Sequence, residues 1–254
     1  MSLIGENIAF VSLGSSCQVA QQLRLHAATL SYELGQDLQH RRLPFDWIIA
    51  PIEKLTGILN SGVHFPSEPG HLRPHSGQVN ARYWPDAGVF FWHDFFDEAG
   101  AINVQATFES TRQQYKQHFS LLRELASKQI IVLVVANTQN NLPTVLGDQF
   151  QGFEFTLEKL RSLKSACERY LGRRCLMLAV TYQGLADYTL ASGASSPDIT
   201  VRYIARDQSE WEGDSAIWLD VLKDYIRSRR ELRGSRIGKV AHTARRLGRK
   251  FLRR

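Results

Sequence analysis

Three cysteines in 254 residues, Cys17, Cys167 and Cys175, are too few and too widely spaced for a disulfide framework. Their odd number points to a reducing compartment. The chain contains no CxxC and no HExxH, so zinc has no ligand pattern and no metal is expected. No run of roughly 18 apolar residues occurs, and no membrane-spanning helix is expected. The opening MSLIGENIAF has neither the basic nor the apolar region of a signal peptide, which predicts a cytoplasmic protein. Neither GxGxxG nor a Walker A lysine is present, so no nucleotide cofactor is expected. Internal repeats and extended low-complexity segments are also missing.

What is there is ordinary in bulk and uneven in detail. Apolar residues make up 43% and charged residues 22%, as in a soluble globular protein. The net charge of +6 hides a split. Residues 223–254 hold 13 Lys/Arg against Asp224 and Glu231, and the rest of the chain is mildly acidic. Such a split concerns partners rather than fold.

The hydrophobic pattern alternates strands with helices. Ile8–Val11 is a short apolar run, followed by the small residues Gly14, Ser15 and Ser16 and then by Val19, Ala20 and Leu23 at helical spacing. Pro51 suits the first turn of a helix reaching about Leu59. Residues 60–85 are rich in Gly, Pro, Ser and His and read as a long surface loop. The aromatic run Gly88–Phe96 predicts a strand ending near His93. Residues 108–128 form an amphipathic helix pattern. Ile130–Ala136 reads as a central parallel strand covered on both faces. A helix over 155–171, strands over 175–180 and 199–204, and a helix over 213–227 follow. The expected fold is α/β: one three-layer domain over residues 1–230 with an open, mostly parallel sheet, then a basic helical tail over 231–254. Segments after the strands, including Cys17, Asn137 and Thr181–Gln183, should converge on the carboxyl rim of the sheet.

Cys17 stands where a strand–turn–helix unit starts its helix. Unpaired N–H groups and the positive dipole end lie there, and they are expected to lower the thiol pKa and to hold a developing oxyanion. Ser15 and Ser16 compete as nucleophile, but the thiol is the stronger near neutral pH. Cys167 and Cys175 lie on apolar stripes and read as core. His93 is the lead base, with His71 and His75 as substitutes. A third group must orient the base, and Asp46, Asp94 and Asn137 are all open to that role. His93 and Asp94 are neighbours, so in a strand they face opposite sides. The candidate substrate-binding set is Gly14, Ser15, Ser16, Trp47 and Asn137.

Three blocks, Ser12–Cys17 with Ala20, Pro44–Trp47, and His93–Phe95, together resemble a bacterial family of unknown function labelled papain-like cysteine peptidase. The resemblance spans about the first 140 residues. It implies Cys17 as nucleophile and His93 as base, with Asp46 and Asp94 in support. The expected activity is acyl transfer through a thioester, to water as a hydrolase or peptidase, or to a sugar hydroxyl as an acyltransferase. The N-terminal pattern also resembles proteins found with bacterial surface-polysaccharide genes, which implies polysaccharide biosynthesis as a setting. The rival expectation is a non-catalytic module that binds a glycan or nucleotide.

In the tail, Ile237, Val240, Ala241, Ala244, Leu247 and Phe251 recur at helical spacing among Arg and Lys. A basic amphipathic helix over Arg236–Arg254 is expected to lie on an anionic membrane surface, peripheral to its inner face. No recognition motif accompanies the charge, so nucleic acid is the weaker partner.

Overall fold

The computed structural model describes residues 7–38, 41–75, 78–143, 153–182, 196–205 and 211–229. Its centre is the run Ile130–Ala136, in which every residue is buried. A strand without a polar side must be covered on both faces. It lies between Ile8–Ser12 (β1) and Leu176–Thr181 (β7), and Ile199–Tyr203 (β8) completes a four-stranded sheet. Numbered as β6, the central strand pairs in parallel with β1 and β7, and β7 pairs in parallel with β8. The parallel α/β sheet expected from the sequence is therefore present.

Alternate residues of β6 feed two cores. Ile130, Val132, Val134 and Ala136 meet Val19 and Leu23 of Cys17–Leu34 (α1) and Trp218, Leu222 and Tyr225 of the last described helix, residues 215–229. Ile131, Leu133 and Val135 meet residues of Ile52–Ser61 (α2), Val104–Lys128 (α3) and Leu157–Leu171 (α4). Helix 215–229 is α5. Burying each such apolar side chain stabilises the fold by about 1.5–3 kcal/mol. Helix ends follow local chemistry. The side chains of Asn103 and Thr156 accept the N–H groups of Ala106 and Lys159 at the starts of α3 and α4.

The 60–85 segment departs from the expected surface loop. It supplies Arg73–His75 (β3) and Gln78–Trp84 (β4) to a second, antiparallel sheet, completed by Ile48–Ile49 (β2) and Val89–Phe91 (β5), in the order β2-β5-β4-β3. Gly, Pro and His dominate the stretch before β4, and the one alternating run, Gln78–Trp84, is short enough to be lost among them. The basic tail and its expected helix lie outside the described residues. Among the described residues no helix is long and apolar enough to cross a membrane.

The two sheets touch at Gly14. Its φ is +61°, and a Cβ there would stand 2.3 Å from the Phe45 carbonyl oxygen and 2.8 Å from Ile48. The Ala50 N–H donates to the Gly14 carbonyl across the same contact, at 3.2 Å. At the far edge of the parallel sheet, the Gln36 amide bonds both backbone groups of Ile8: its Oε1 accepts the N–H at 2.9 Å and its Nε2 donates to the carbonyl at 2.6 Å.

Gly14→Ala combines a left-handed backbone with a backbone clash, and a loss of about 2 kcal/mol or more is expected. Gly57 lies inside α2 with nothing within 4 Å of its would-be Cβ. Gly57→Ala is expected to stabilise by about 0.5–1 kcal/mol. Urea midpoints of the two variants should move in opposite directions.

Candidate active-site cleft

α1 begins at Cys17 because Ser16 adopts an extended backbone and stops the helix there. The Ser16 side chain makes no capping bond; its hydroxyl donates instead to the Ala136 carbonyl at 3.4 Å. The first-turn N–H groups of α1 are therefore not consumed by the cap side chain. The parallel pairing brings the ends of β1, β6 and β7 to one rim, where the Asn137 N–H donates to the Val180 carbonyl. Gln183 lies outside the described residues.

A cleft of about 170 Å³ opens at this rim. Cys17, Gln139 and Asn141 line it from the parallel sheet, Ile49, Trp92 and His93 from the antiparallel one, and Trp211 from the approach to α5. Register explains the second group. Ile49 pairs with Phe90 across β2 and β5, and β5 then runs straight into Trp92 and His93. Cys17 and His93, chosen from the sequence, thus wall the same cleft.

The electrostatics differ from the expectation for the thiol. Cys17 is only 3% exposed. Burial, reinforced by the negative charges of Asp94 and Asp46, pushes its pKa up to about 12. A backbone hydrogen bond and Arg42 pull it down, but burial wins. The resting group is a neutral thiol, not the thiolate expected at a helix N-terminus. His93 keeps an exposed edge, while burial of the rest of the ring lowers its pKa against the pull of Asp94. The imidazole is accordingly neutral near pH 7, as a proton acceptor must be.

The remaining candidates surround this pair without lining the cleft. Asp94 faces away from it. Its Oδ1 accepts from Arg42 at 2.6 Å and its Oδ2 from the Tyr115 hydroxyl at 2.9 Å. Asp94 alternates sides with His93, as adjacent residues do. Phe95 next to it has φ +69°, a left-handed conformation no other non-glycine residue adopts among those described. Such strain costs of order 1–3 kcal/mol and persists where its surroundings hold it. Asp46 builds a turn: its Oδ2 accepts the Leu43 N–H at 2.8 Å. Burial raises its pKa to about 7. Trp47 sets its ring edge-to-face against the His93 ring, with centroids 5.0 Å apart. Ser15 and Ser16 are fully buried. Asn137 is also buried, and its amide donates to the Phe153 carbonyl at 2.8 Å. The amides that do reach the cleft are Gln139 and Asn141, joined to each other at 2.7 Å. His71 and His75 do not line the cleft; His71 lies 3.1 Å from Glu68 and His75 packs on Phe90.

The three blocks of the resemblance meet in space. Gly14 abuts Phe45, Trp47 abuts His93, and Arg42, just before the second block, binds Asp94 of the third. Behind α1 a polar chain ties in the 211–213 segment. The Thr138 hydroxyl donates to the Gln18 side-chain oxygen at 2.6 Å, and the Gln18 amide donates to the Trp211 carbonyl at 3.2 Å. That chain places Trp211 at the cleft. No group of three or more His, Cys, Asp or Glu residues among those described could hold a metal ion. No family model, curated protein or solved structure matches the chain.

A buried neutral thiol makes a clear kinetic prediction. Iodoacetamide labelling of Cys17, followed by peptide mass spectrometry, should rise about tenfold per pH unit from pH 7 through 9 without levelling. A plateau below pH 8.5 would mean an activated thiolate instead.

Asp46 makes a separate thermodynamic one. Its folded pKa lies above the unfolded value, so between about pH 4 and 7 the native state holds a proton that the unfolded chain has released. Stability from this group then falls as pH rises through that window. Asp46→Asn removes the titration. Its urea stability relative to the parent is expected to improve by about 2 kcal/mol between pH 5 and 8.

Proposed function

We propose that this chain is a cysteine acyl-transfer enzyme, with Cys17 as nucleophile and His93 as general base. The observation that carries the reading is the sharing of one cleft by a thiol at a helix start and a neutral imidazole. The motif resemblance points the same way.

The reaction runs from two neutral groups rather than from a resting ion pair. A carbonyl substrate enters between the two sheets. As Sγ attacks the carbonyl carbon, the thiol proton passes to the His93 ring. The oxyanion faces first-turn N–H groups of α1, which the Ser16 side chain leaves uncapped. The tetrahedral adduct collapses to a thioester, and the leaving group takes the proton from His93. His93, neutral again, then removes a proton from the acceptor as it attacks the thioester, and passes that proton to Sγ as the C–S bond breaks, restoring the neutral thiol and imidazole.

Water as acceptor makes the enzyme a hydrolase or peptidase; a hydroxyl makes it an acyltransferase. The lining favours the second. The indoles of Trp92 and Trp211 offer flat apolar faces for sugar C–H groups, and the Gln139 and Asn141 amides offer paired donors and acceptors for hydroxyls. A glycan hydroxyl, as on a bacterial surface polysaccharide, fits that combination. Contact of the basic tail with an anionic membrane would keep the enzyme beside such acceptors.

The test uses p-nitrophenyl acetate as acyl donor, with and without a chito-oligosaccharide acceptor. An acetyl adduct on the Cys17 peptide and release of nitrophenol are expected. Cys17→Ala should abolish both, and His93→Ala should slow acylation about 100-fold or more. Equal rates in Cys17→Ala would overturn the mechanism. Oligosaccharide binding without any acyl adduct would leave the cleft as a glycan-binding module.

A further inference from the structure

A second and larger cavity, about 590 Å³, lies between residues 62–67, α3 and the end of α4. Its volume suits a small metabolite. Arg112, Lys116 and Arg123 all line it. Their spacings of four and seven residues put them on one stripe of α3. Like charges at such spacing repel, and a bound anion would relieve the repulsion. No carboxylate is among the lining residues. Arg112 meets the exposed Glu109 at 3.1 Å, whereas Lys116 and Arg123 have no carboxylate within ion-pair distance among the described residues.

The rest of the lining is aromatic: Phe119 lies on α3 between Lys116 and Arg123, His64 in the 62–67 segment and Tyr170 at the end of α4. His64 stacks on Phe119 with centroids 4.2 Å apart and an interplanar angle of 16°. Tyr170 stands edge-on to both rings. The Arg123 guanidinium sits 4.5 Å from the Tyr170 ring centre, which fixes its planar fork at the cavity. Burial and Arg123 lower the His64 pKa, so that wall carries neutral rings near pH 7.

We propose that this cavity binds a phosphate monoester carrying a planar aromatic ring. Arginine forks and a lysine point charge recognise the phosphate dianion. The ring lies against the His64, Phe119 and Tyr170 wall. Arg112 and Lys116, one turn apart, can share the phosphate, while Arg123, about 16 Å from Arg112 along the helix, stacks on Tyr170 at the ring end. This site is separate from the Cys17 cleft and does not depend on its chemistry.

Calorimetric titration of the full chain tests this with AMP, UMP and phenyl phosphate, beside adenosine, inorganic phosphate and a ten-nucleotide single strand. At least one ring phosphate is expected to bind ten times more tightly than either adenosine or inorganic phosphate. Lys116→Ala and the charge reversal Lys116→Glu should weaken it at least fivefold and at least twentyfold. Lys116 is exposed and has no ion pair among the described residues, so both variants should retain the parent melting temperature. Cys17→Ala should bind as the parent does, which separates this result from the fate of the acyl-transfer reading. Ring phosphates binding no better than inorganic phosphate, affinity unmoved by Lys116→Glu, or tight binding of the oligonucleotide alone would each overturn the proposal.

Discussion

The close approach of Gly14 to Phe45 is the constraint on which the cleft depends. A backbone with no side chain lets the first turn of the parallel sheet rest on the carbonyl of a loop from the antiparallel one. Cys17 follows three residues later on one side of the contact. On the other, Ile48 and Ile49 follow Phe45 and pair with β5, whose end carries His93. Cys17 and His93 therefore come from different sheets, and the packing and hydrogen bond at Gly14 help set their relation. A shift of one ångström at that point would be passed to both, since close-packed interiors transmit strain rather than absorb it.

Behind His93 the chain is anchored by a buried charge. Asp94 is nearly inaccessible, and it is held by Arg42 and by Tyr115 of α3. Pairs of this kind contribute little net stability, yet removing one partner strands the other in a medium that disfavours charge. Their value here is positional. Asp94 cannot rotate toward the cleft without losing two partners, and Phe95 is kept in a left-handed conformation beside it. The same two carboxylates, Asp46 and Asp94, help hold Cys17 protonated. Burial and these two carboxylates thus keep the sulfur uncharged.

The parallel sheet was legible because its strands need cover on both faces, and Ile130–Ala136 and Leu176–Thr181 announce that in an unbroken apolar run. The helices α3 and α4 were legible from their 3.6-residue period. Of the antiparallel sheet only β5, inside the aromatic run 88–96, was legible. That sheet's strands are two to seven residues long; β3 and β4 fall in a stretch broken by Gly, Pro and His, and β2 is two residues fixed by pairing with the distant β5. In the site, Cys17 and His93 could be found because they are chemically distinctive at element boundaries. The sequence predicts Asn137 at the rim, whereas its side chain turns inward to Phe153 and its neighbours Gln139 and Asn141 line the cleft. Which residue of a polar stretch points outward depends on loop conformation, and a string of amides does not encode it. Trp211 is hidden for a related reason: the Gln18 and Gln22 side chains, distant in the chain, hold its segment there. The direction of the thiol pKa was missed because the helix-end effect is local and readable, while burial is a property of the finished fold.

The first strand of the parallel sheet ends the sheet, and an open edge invites another chain to add itself there. Gln36 occupies part of that edge: its amide donates and accepts as a peptide group would, bonding both backbone groups of Ile8. One side chain thus imitates a single link of a neighbouring strand. A second molecule approaching at Ile8 finds its place already taken, and would have to break two good bonds to form its own. One glutamine thus caps the sheet locally, at the position where edge-to-edge pairing would begin.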